Sequence, residues 1–179
     1  MPHVDPNTVS DPTTGQPILA AWGDVVRDNQ EYSARNKPHC RVYNSAAISL
    51  ATSNVDQALT FNSERYDVGG CHSTASNTGR ITIPSGEGGK YLITGHVEIA
   101  SNATGDRQLS IRLNGSTAIA AQRVGANASS VTIQSLSVVY ALAAGDYVEL
   151  WALQSSGGAL NVTASGNYSP EFTAMWLAV

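Results

Sequence analysis

A chain of 179 residues with a formal net charge of −4 and only 13% charged residues fits one main domain with a short extension. Its ten basic residues are scattered, which excludes the concentrated positive surface that nucleic-acid binding requires. No segment approaches the roughly 18 apolar residues of a membrane-spanning helix. The N-terminus also lacks the basic flank and apolar run of a secretory signal. We therefore expect a soluble protein made in the cytosol, with neither nucleic acid nor membrane among its partners.

The first 38 residues have a different pattern from the rest. Four prolines among small polar residues in 1–17 predict an extended arm that forms no core of its own. Apolar residues at three- and four-residue spacing then predict an amphipathic helix over 18–34, which ends before Pro38. We expect residues 1–38 to anchor the protein to a larger particle through the apolar side of this helix: Ile18, Leu19, Trp22, Val25 and Val26.

The remaining residues, 39–179, predict an all-β domain of about ten short antiparallel strands. Glycine- and asparagine-rich turns separate the strands, and Asn114-Gly115 is the dipeptide most typical of a tight hairpin. Strands are expected near 40–50, 57–62, 79–83, 90–100, 107–114, 117–123, 131–142, 146–154, 158–164 and 171–178.

Three of these segments, 91–97, 147–153 and 172–177, carry apolar residues at successive positions instead of alternating with polar ones. A strand of this kind needs cover on both faces, and no later helix is available to provide it. We expect copies of the same chain to cover the second face. The alternative is that these residues sit at the wide end of one closed barrel. The expected trimer-interface residues are Tyr91, Tyr147, Trp151, Phe172 and Trp176.

The sequence contains no pattern typical of catalysis, a bound metal or a cofactor. Cys40 and Cys71 are too few for a zinc knuckle or a disulfide framework, so we interpret both as ordinary thiols. One disulfide between them is the alternative. Asp67, Cys71 and His72 lie close in sequence, but their spacing fits no nucleophile motif.

Several segments resemble the complement-type globular head, a relative of the tumour-necrosis-factor fold: FNSERYD at 61–67, GRITIP at 79–84, GKYLITGHV at 89–97, LAAGDYVEL at 142–150 and SGNYSPEF at 165–172. This resemblance implies a ten-stranded jelly roll that forms trimers about an aromatic-rich axis. No calcium site is carried over, because no residue pattern here matches one. The collagen-like stalk of the animal members is also missing, and residues 1–38 stand in its place.

The segment PILAAWGDVVRDN at 17–29 resembles small virion proteins of tailed bacteriophages. That resemblance implies a homotrimeric capsid decoration protein, assembled in the bacterial cytoplasm, whose residues 1–38 bind the major capsid protein or another virion protein. The alternative is a tail fibre, spike or receptor-binding module that recognises a host glycan or protein through loops at 67–78, 101–106 and 124–130. A glycan-active enzyme is disfavoured because no pair of carboxylates has the required context.

Overall fold

The computed structural model describes residues 20–32 and 37–178, and the chain divides between Lys37 and Pro38 into two units. In the first unit, α1 spans Ala20–Glu31, inside the predicted range of 18–34. The predicted arm, residues 1–17, lies outside the described residues, as do Ile18 and Leu19. Among the described helical residues, none form a stretch long and apolar enough to cross a bilayer.

The second unit is built from β-strands. In chain order they are β1 His39–Tyr43, β2 Ile48–Leu50, β3 Gln57–Ala58, β4 Ser63–Val68, β5 Arg80–Thr82, β6 Gly89–Ile99, β7 Asp106–Leu113, β8 Thr117–Gly125, β9 Thr132–Leu142, β10 Tyr147–Gln154, β11 Leu160–Val162 and β12 Glu171–Ala178.

The strands form two sheets, and in the described part of the chain all pairings of strands within a sheet are antiparallel. In the first sheet, β6 pairs with β9 along its whole length, with β12, and with β11 at Ile99. The first sheet continues from β12 to β1 and β4, and from β11 to β2. In the second sheet, β10 pairs with β7 on one side and with β3 and β5, and β8 pairs with β7. The all-β jelly-roll prediction is confirmed.

Alternating side chains from the two sheets meet in one hydrophobic core. In β6, Ile93 and Val97 point inward, and in β10, Val148 and Leu150 do the same. Gly95 allows the sheets to approach closely, because a Cβ built there would lie 2.3 Å from a methyl carbon of Leu150. At about 25 cal/mol per Å² of buried apolar surface, this core supplies the main driving force for folding.

The predicted strand at 40–50 is two strands in the structure. Asn44 breaks it, because its side-chain oxygen accepts a hydrogen bond from the Ala46 backbone N–H at 2.9 Å while its amide donates to the Thr60 carbonyl at 2.8 Å. Such local side-chain bonds compete with the strand ladder. Strand β4 was not predicted, since it lies beside β1 as an edge strand with mostly exposed side chains and no clean alternation.

The turn at Asn114-Gly115 has the predicted geometry. The φ angles of Asn114 and Gly115 are 50° and 74°, and the Ser116 N–H donates to the Leu113 carbonyl at 3.2 Å. Positive φ at both central positions matches the right-handed twist of the flanking strands. This turn joins β7 to β8.

Candidate assembly interface

The outward face of the first sheet carries a row of side chains that crosses five strands. Register places Leu92 of β6 directly between Val139 of β9 and Met175 of β12. Met175 is in turn opposite His39 of β1, and His39 is opposite Val68 of β4. Directly paired residues point to the same side of a sheet. These five side chains therefore form one continuous row, which we call the outer row.

The outer row is largely apolar and open to solvent. Val139 is 55% exposed and Met175 is 41% exposed, and Ile133, farther along the same face of β9, is also exposed. Tyr66 of β4 is paired directly with Arg41 of β1 on the same face, and it is exposed too. Adjacent exposed apolar side chains on one face of a sheet form a candidate surface for binding another protein.

The same face becomes polar toward the start of β12, four residues before Met175. Glu171 of β12 is only 4% exposed, and the guanidinium groups of Arg41 and Arg65 both donate to its carboxylate, with Arg65 Nη2 3.0 Å from Oε1. A buried carboxylate is tolerated here because two cations neutralise it. Beside this cluster is an open cavity of about 300 Å³. Its lining residues are Arg41, Thr94, His96, Tyr168, Glu171 and Thr173.

A second buried carboxylate, Glu98, adjoins this cavity. Thr163 Oγ1 donates to Glu98 Oε1 at 2.6 Å, and the Tyr168 hydroxyl donates to Oε2. These hydrogen bonds, first the one from Thr163 and then the one from Tyr168, hold the pKa of Glu98 below its usual range. The His96 ring packs edge-on against Tyr168 at 5.6 Å between ring centres. The buried Nδ1 of His96 has no hydrogen-bond partner among the described residues.

On the outward face of the second sheet, the two aromatic residues of β10 are partly covered by the chain itself. Arg80 of β5 lies over the Tyr147 ring, with Cζ 4.0 Å from its centre, and Arg112 of β7 lies 4.3 Å from the Trp151 ring centre. Glu149, between the two aromatics on β10, accepts from Arg80 Nε and from Trp151 Nε1, each at 3.0 Å. Cations stacked on aromatic rings are favourable. This ladder leaves Tyr147 and Trp151 only partly exposed in the single chain.

The structure places the five residues predicted at the trimer interface in two regions of the single chain, and their role in assembly stays a prediction. Tyr91 and Phe172 are buried in the core, and Trp176, opposite Tyr91, packs partly against the same core. Tyr147 and Trp151 belong to the arginine ladder of the second sheet. None of the five lies in the outer row. Along β6 and β12, the larger aromatic side chains face inward and the smaller apolar ones face outward.

The anchoring prediction concerns the first unit. Of its five residues, Ile18 and Leu19 lie outside the described part of the chain, and the side chains of Trp22, Val25 and Val26 are half-buried. On the polar side of α1, Arg27 pairs with Asp24, with Nη1 3.0 Å from Oδ1. The helix is amphipathic as the spacing predicted, and its role in anchoring stays a prediction.

The cysteines, distant in sequence, are neighbours in the structure. The sulfur atoms of Cys40 and Cys71 and a carboxylate oxygen of Asp67 lie within 4.8 Å of one another. Both oxygens of Asp67 accept backbone hydrogens, from Cys71 N–H at 2.9 Å and His72 N–H at 3.0 Å, and His72 binds Glu64 and the Thr78 carbonyl. Asp67 and His72 therefore hold the loop after β4. The sequence places Cys71 near Asp67 and leaves its pairing with Cys40 as an alternative, but it does not predict the three-residue cluster, because Cys40 lies on a different strand from Asp67.

Comparison with known proteins establishes the class of fold. No protein-family model matches the sequence, and no curated protein does. Among solved structures, the globular domain of zebrafish complement 1qA protein is similar, with a TM-score of 0.57 and 17% identity over 79% of this chain and 98% of that one. Murine APRIL at pH 5.0 is similar too, with a TM-score of 0.59 and 10% identity over 78% and 98% of the two chains.

These likenesses show that the chain has a jelly-roll β-sandwich fold similar to that of the complement globular domain and of APRIL. At 10–17% identity they concern the fold alone. The similar structures come from zebrafish and mouse proteins, so the resemblance to phage virion proteins stays a prediction from the sequence.

Proposed function

We propose that this chain is a non-enzymatic structural module that assembles as a homotrimer through the outward face of its first sheet. The outer row carries this proposal. Val139, Leu92 and Met175 form a contiguous apolar strip on three neighbouring strands, and two of the three are more than 40% exposed in the single chain. Removing such a strip from water stabilises an assembly by about 25 cal/mol per Å² of apolar surface.

We favour a second copy of the chain as the partner that covers this apolar strip. A closed ring of three identical subunits buries the same strip on each of them and leaves none open for further growth. Trimers are also what the sequence resemblance implies for this fold. The polar cluster around Glu171 borders the strip, and fixed charges beside an apolar patch limit the ways in which two copies can pack.

We further propose that the trimer is a capsid decoration protein of a tailed bacteriophage. This proposal rests on the resemblance of residues 17–29 to small virion proteins. Residues 1–38 would bind the major capsid protein or another virion protein, with Trp22, Val25 and Val26 among the contacts. Binding to the assembled shell stabilises it by mass action, and three linked attachment segments multiply a weak single contact.

The assembly surface is tested by placing a charge in the outer row. Val139→Asp and Met175→Asp each put a carboxylate where the trimer excludes water, and burying an unpaired charge is strongly unfavourable. We expect both variants to be folded monomers by light scattering and circular dichroism. Val55→Asp is the matched control, since Val55 is also exposed but lies in the 51–56 loop, away from the first sheet. Trimeric Val139→Asp and Met175→Asp variants would exclude this surface.

The virion assignment is tested by counting copies of the chain in purified particles. Hundreds of copies per particle support capsid decoration, whereas a handful indicates a tail fibre or receptor-binding tip, and none refutes a virion role. Deleting residues 1–34 should leave a folded trimer that no longer binds particles. Full binding by the deletion variant would contradict the attachment role of this segment.

A further inference from the structure

Strand β1 and the loop after β4 bring two thiols together inside the sandwich. Cys40 is 0% exposed, and register places it opposite Asp67 of β4 and Ala174 of β12 on the inward face. After Val68, Gly69 and Gly70 adopt φ angles of 105° and 71°, which turn the chain back toward β1. This turn places Cys71, 3% exposed, against Cys40.

The loop holds Cys71 in this position from several directions. The Asp67 carboxylate accepts the Cys71 backbone N–H at 2.9 Å, and the Cys71 carbonyl accepts the Thr82 N–H at 2.7 Å. A Cβ added at Gly69 would lie 3.3 Å from the Pro38 side chain, so the turn is closely packed on the start of β1. The two sulfur atoms are therefore kept within 4.8 Å of each other by contacts on both sides of the loop.

We propose that Cys40 and Cys71 form an intrachain disulfide that ties β1 to the loop after β4. A disulfide requires a sulfur separation of about 2.05 Å and Cα atoms roughly 4.4–6.8 Å apart. Cys40 lies in the strand next to the one that leads into the Cys71 turn, and the sulfurs are already neighbours.

The same three side chains could hold a thiophilic metal ion, but the surroundings favour the disulfide. Both oxygens of Asp67 are already engaged by backbone N–H groups of the loop. A metal site would also hold two thiolates permanently at positions that are almost fully buried. A disulfide carries no charge, so it suits this buried position.

A small-molecule disulfide of the glutathione type is the oxidant. Cys71 lines a surface cavity of about 200 Å³ and is the more accessible thiol. As a thiolate it attacks one sulfur of the oxidant, and one glutathione thiolate leaves and takes up a proton. Cys40 then loses its proton and attacks Cys71 Sγ, and the second glutathione leaves in the same way. The protein loses two protons and two electrons, which convert one glutathione disulfide into two glutathione molecules.

The test uses the full chain equilibrated in a mixture of glutathione and glutathione disulfide. After acid quenching, denaturation and treatment with N-ethylmaleimide, we expect an intact mass lower by two hydrogens, with no maleimide attached. Peptide mapping should show the Cys40 peptide linked to the Cys71 peptide. Two maleimide groups per chain, two glutathione adducts, or a link between different chains would overturn the proposal. So would one tightly bound zinc ion per chain that protects both thiols from the oxidant.

Two single variants test the order of the steps. In Cys40→Ala, the mixed disulfide at Cys71 cannot be resolved, so one glutathione adduct should accumulate. In Cys71→Ala, the buried Cys40 should react far more slowly. Equal adduct formation in the two variants would overturn the assignment of Cys71 as the attacking thiol. The experiment on the unmodified chain decides the disulfide itself and depends on no variant.

Discussion

Leu92 lies directly opposite Met175 where β6 pairs with β12, and both side chains point away from the core. Leu92 is also opposite Val139 on its other side, so it occupies the centre of the apolar strip. A central position in a protein interface is the one most protected from water and contributes most to affinity. The proposed trimer therefore depends on Leu92 more than its half-exposed state in the single chain indicates.

Leu92→Ala should weaken the trimer. Losing a central apolar side chain at each subunit contact raises the dissociation constant by at least about tenfold, which corresponds to about 1.4 kcal/mol. The measurement is sedimentation over a range of concentrations. Val55→Ala is the control and should leave the constant unchanged, because Val55 lies outside the first sheet. Equal constants for Leu92→Ala and the unmodified chain would place the interface elsewhere.

Glu171→Gln should destabilise the fold. The change removes the negative charge that Arg41 and Arg65 share, while the two cations remain next to each other. Breaking a fully buried ion pair costs about 3–5 kcal/mol. Arg41 and Arg65 are partly solvated, so we expect about 1–3 kcal/mol in the free energy of unfolding, measured with urea. Glu31→Gln, at an exposed position on α1, is the control, and an equal effect there would contradict this role of Glu171.

Tyr168→Phe should destabilise the protein near neutral pH and make its stability depend less on pH in the acid range. It removes a hydrogen bond to Glu98, and so raises the lowered pKa of that carboxyl toward its usual range. The folded-state pKa of Glu98 is below the unfolded one. The stability that its ionised carboxyl contributes is therefore present above the unfolded pKa of about 4.3 and is lost as pH falls through the folded value.

Unfolding curves from pH 7 to pH 2 check this prediction. Above about pH 4.3 the variant should be less stable than the unmodified chain by about 1–2 kcal/mol, and the difference should shrink at lower pH. Tyr66→Phe is the control, since Tyr66 is exposed on β4. A constant difference across the whole range would show that Tyr168 contributes by packing and not through Glu98.

Arg107→Met should loosen the loop before β7. The Arg107 side chain is fully buried, and it donates to the backbone carbonyls of Asn102, Thr104 and Asp106 at 3.0–3.1 Å. Without these bonds we expect a loss of about 1–3 kcal/mol in stability. Amide hydrogen exchange should become faster over 101–106. The control is Arg123→Met on the exposed side of β8. Similar exchange over 101–106 in both variants would contradict this role of Arg107.

The sequence predicted the jelly roll and most of its strands because turn residues and apolar periodicity are local signals. It did not predict which face Tyr91 and Leu92 occupy. Both are apolar and adjacent, so the pattern leaves the phase of the alternation open, and only packing against the second sheet decides it. The cover that Arg80 and Arg112 give to Tyr147 and Trp151 was also missed, because it joins strands far apart in the chain.

The mass of the unmodified chain in dilute solution tests the central claim most directly. Light scattering coupled to size exclusion, at micromolar concentration, should give three times the mass of one chain, because the outer row is then buried between copies. A mass equal to one chain would contradict the claim, since Val139 and Met175 would remain in water and the outward face of the first sheet would serve no assembly.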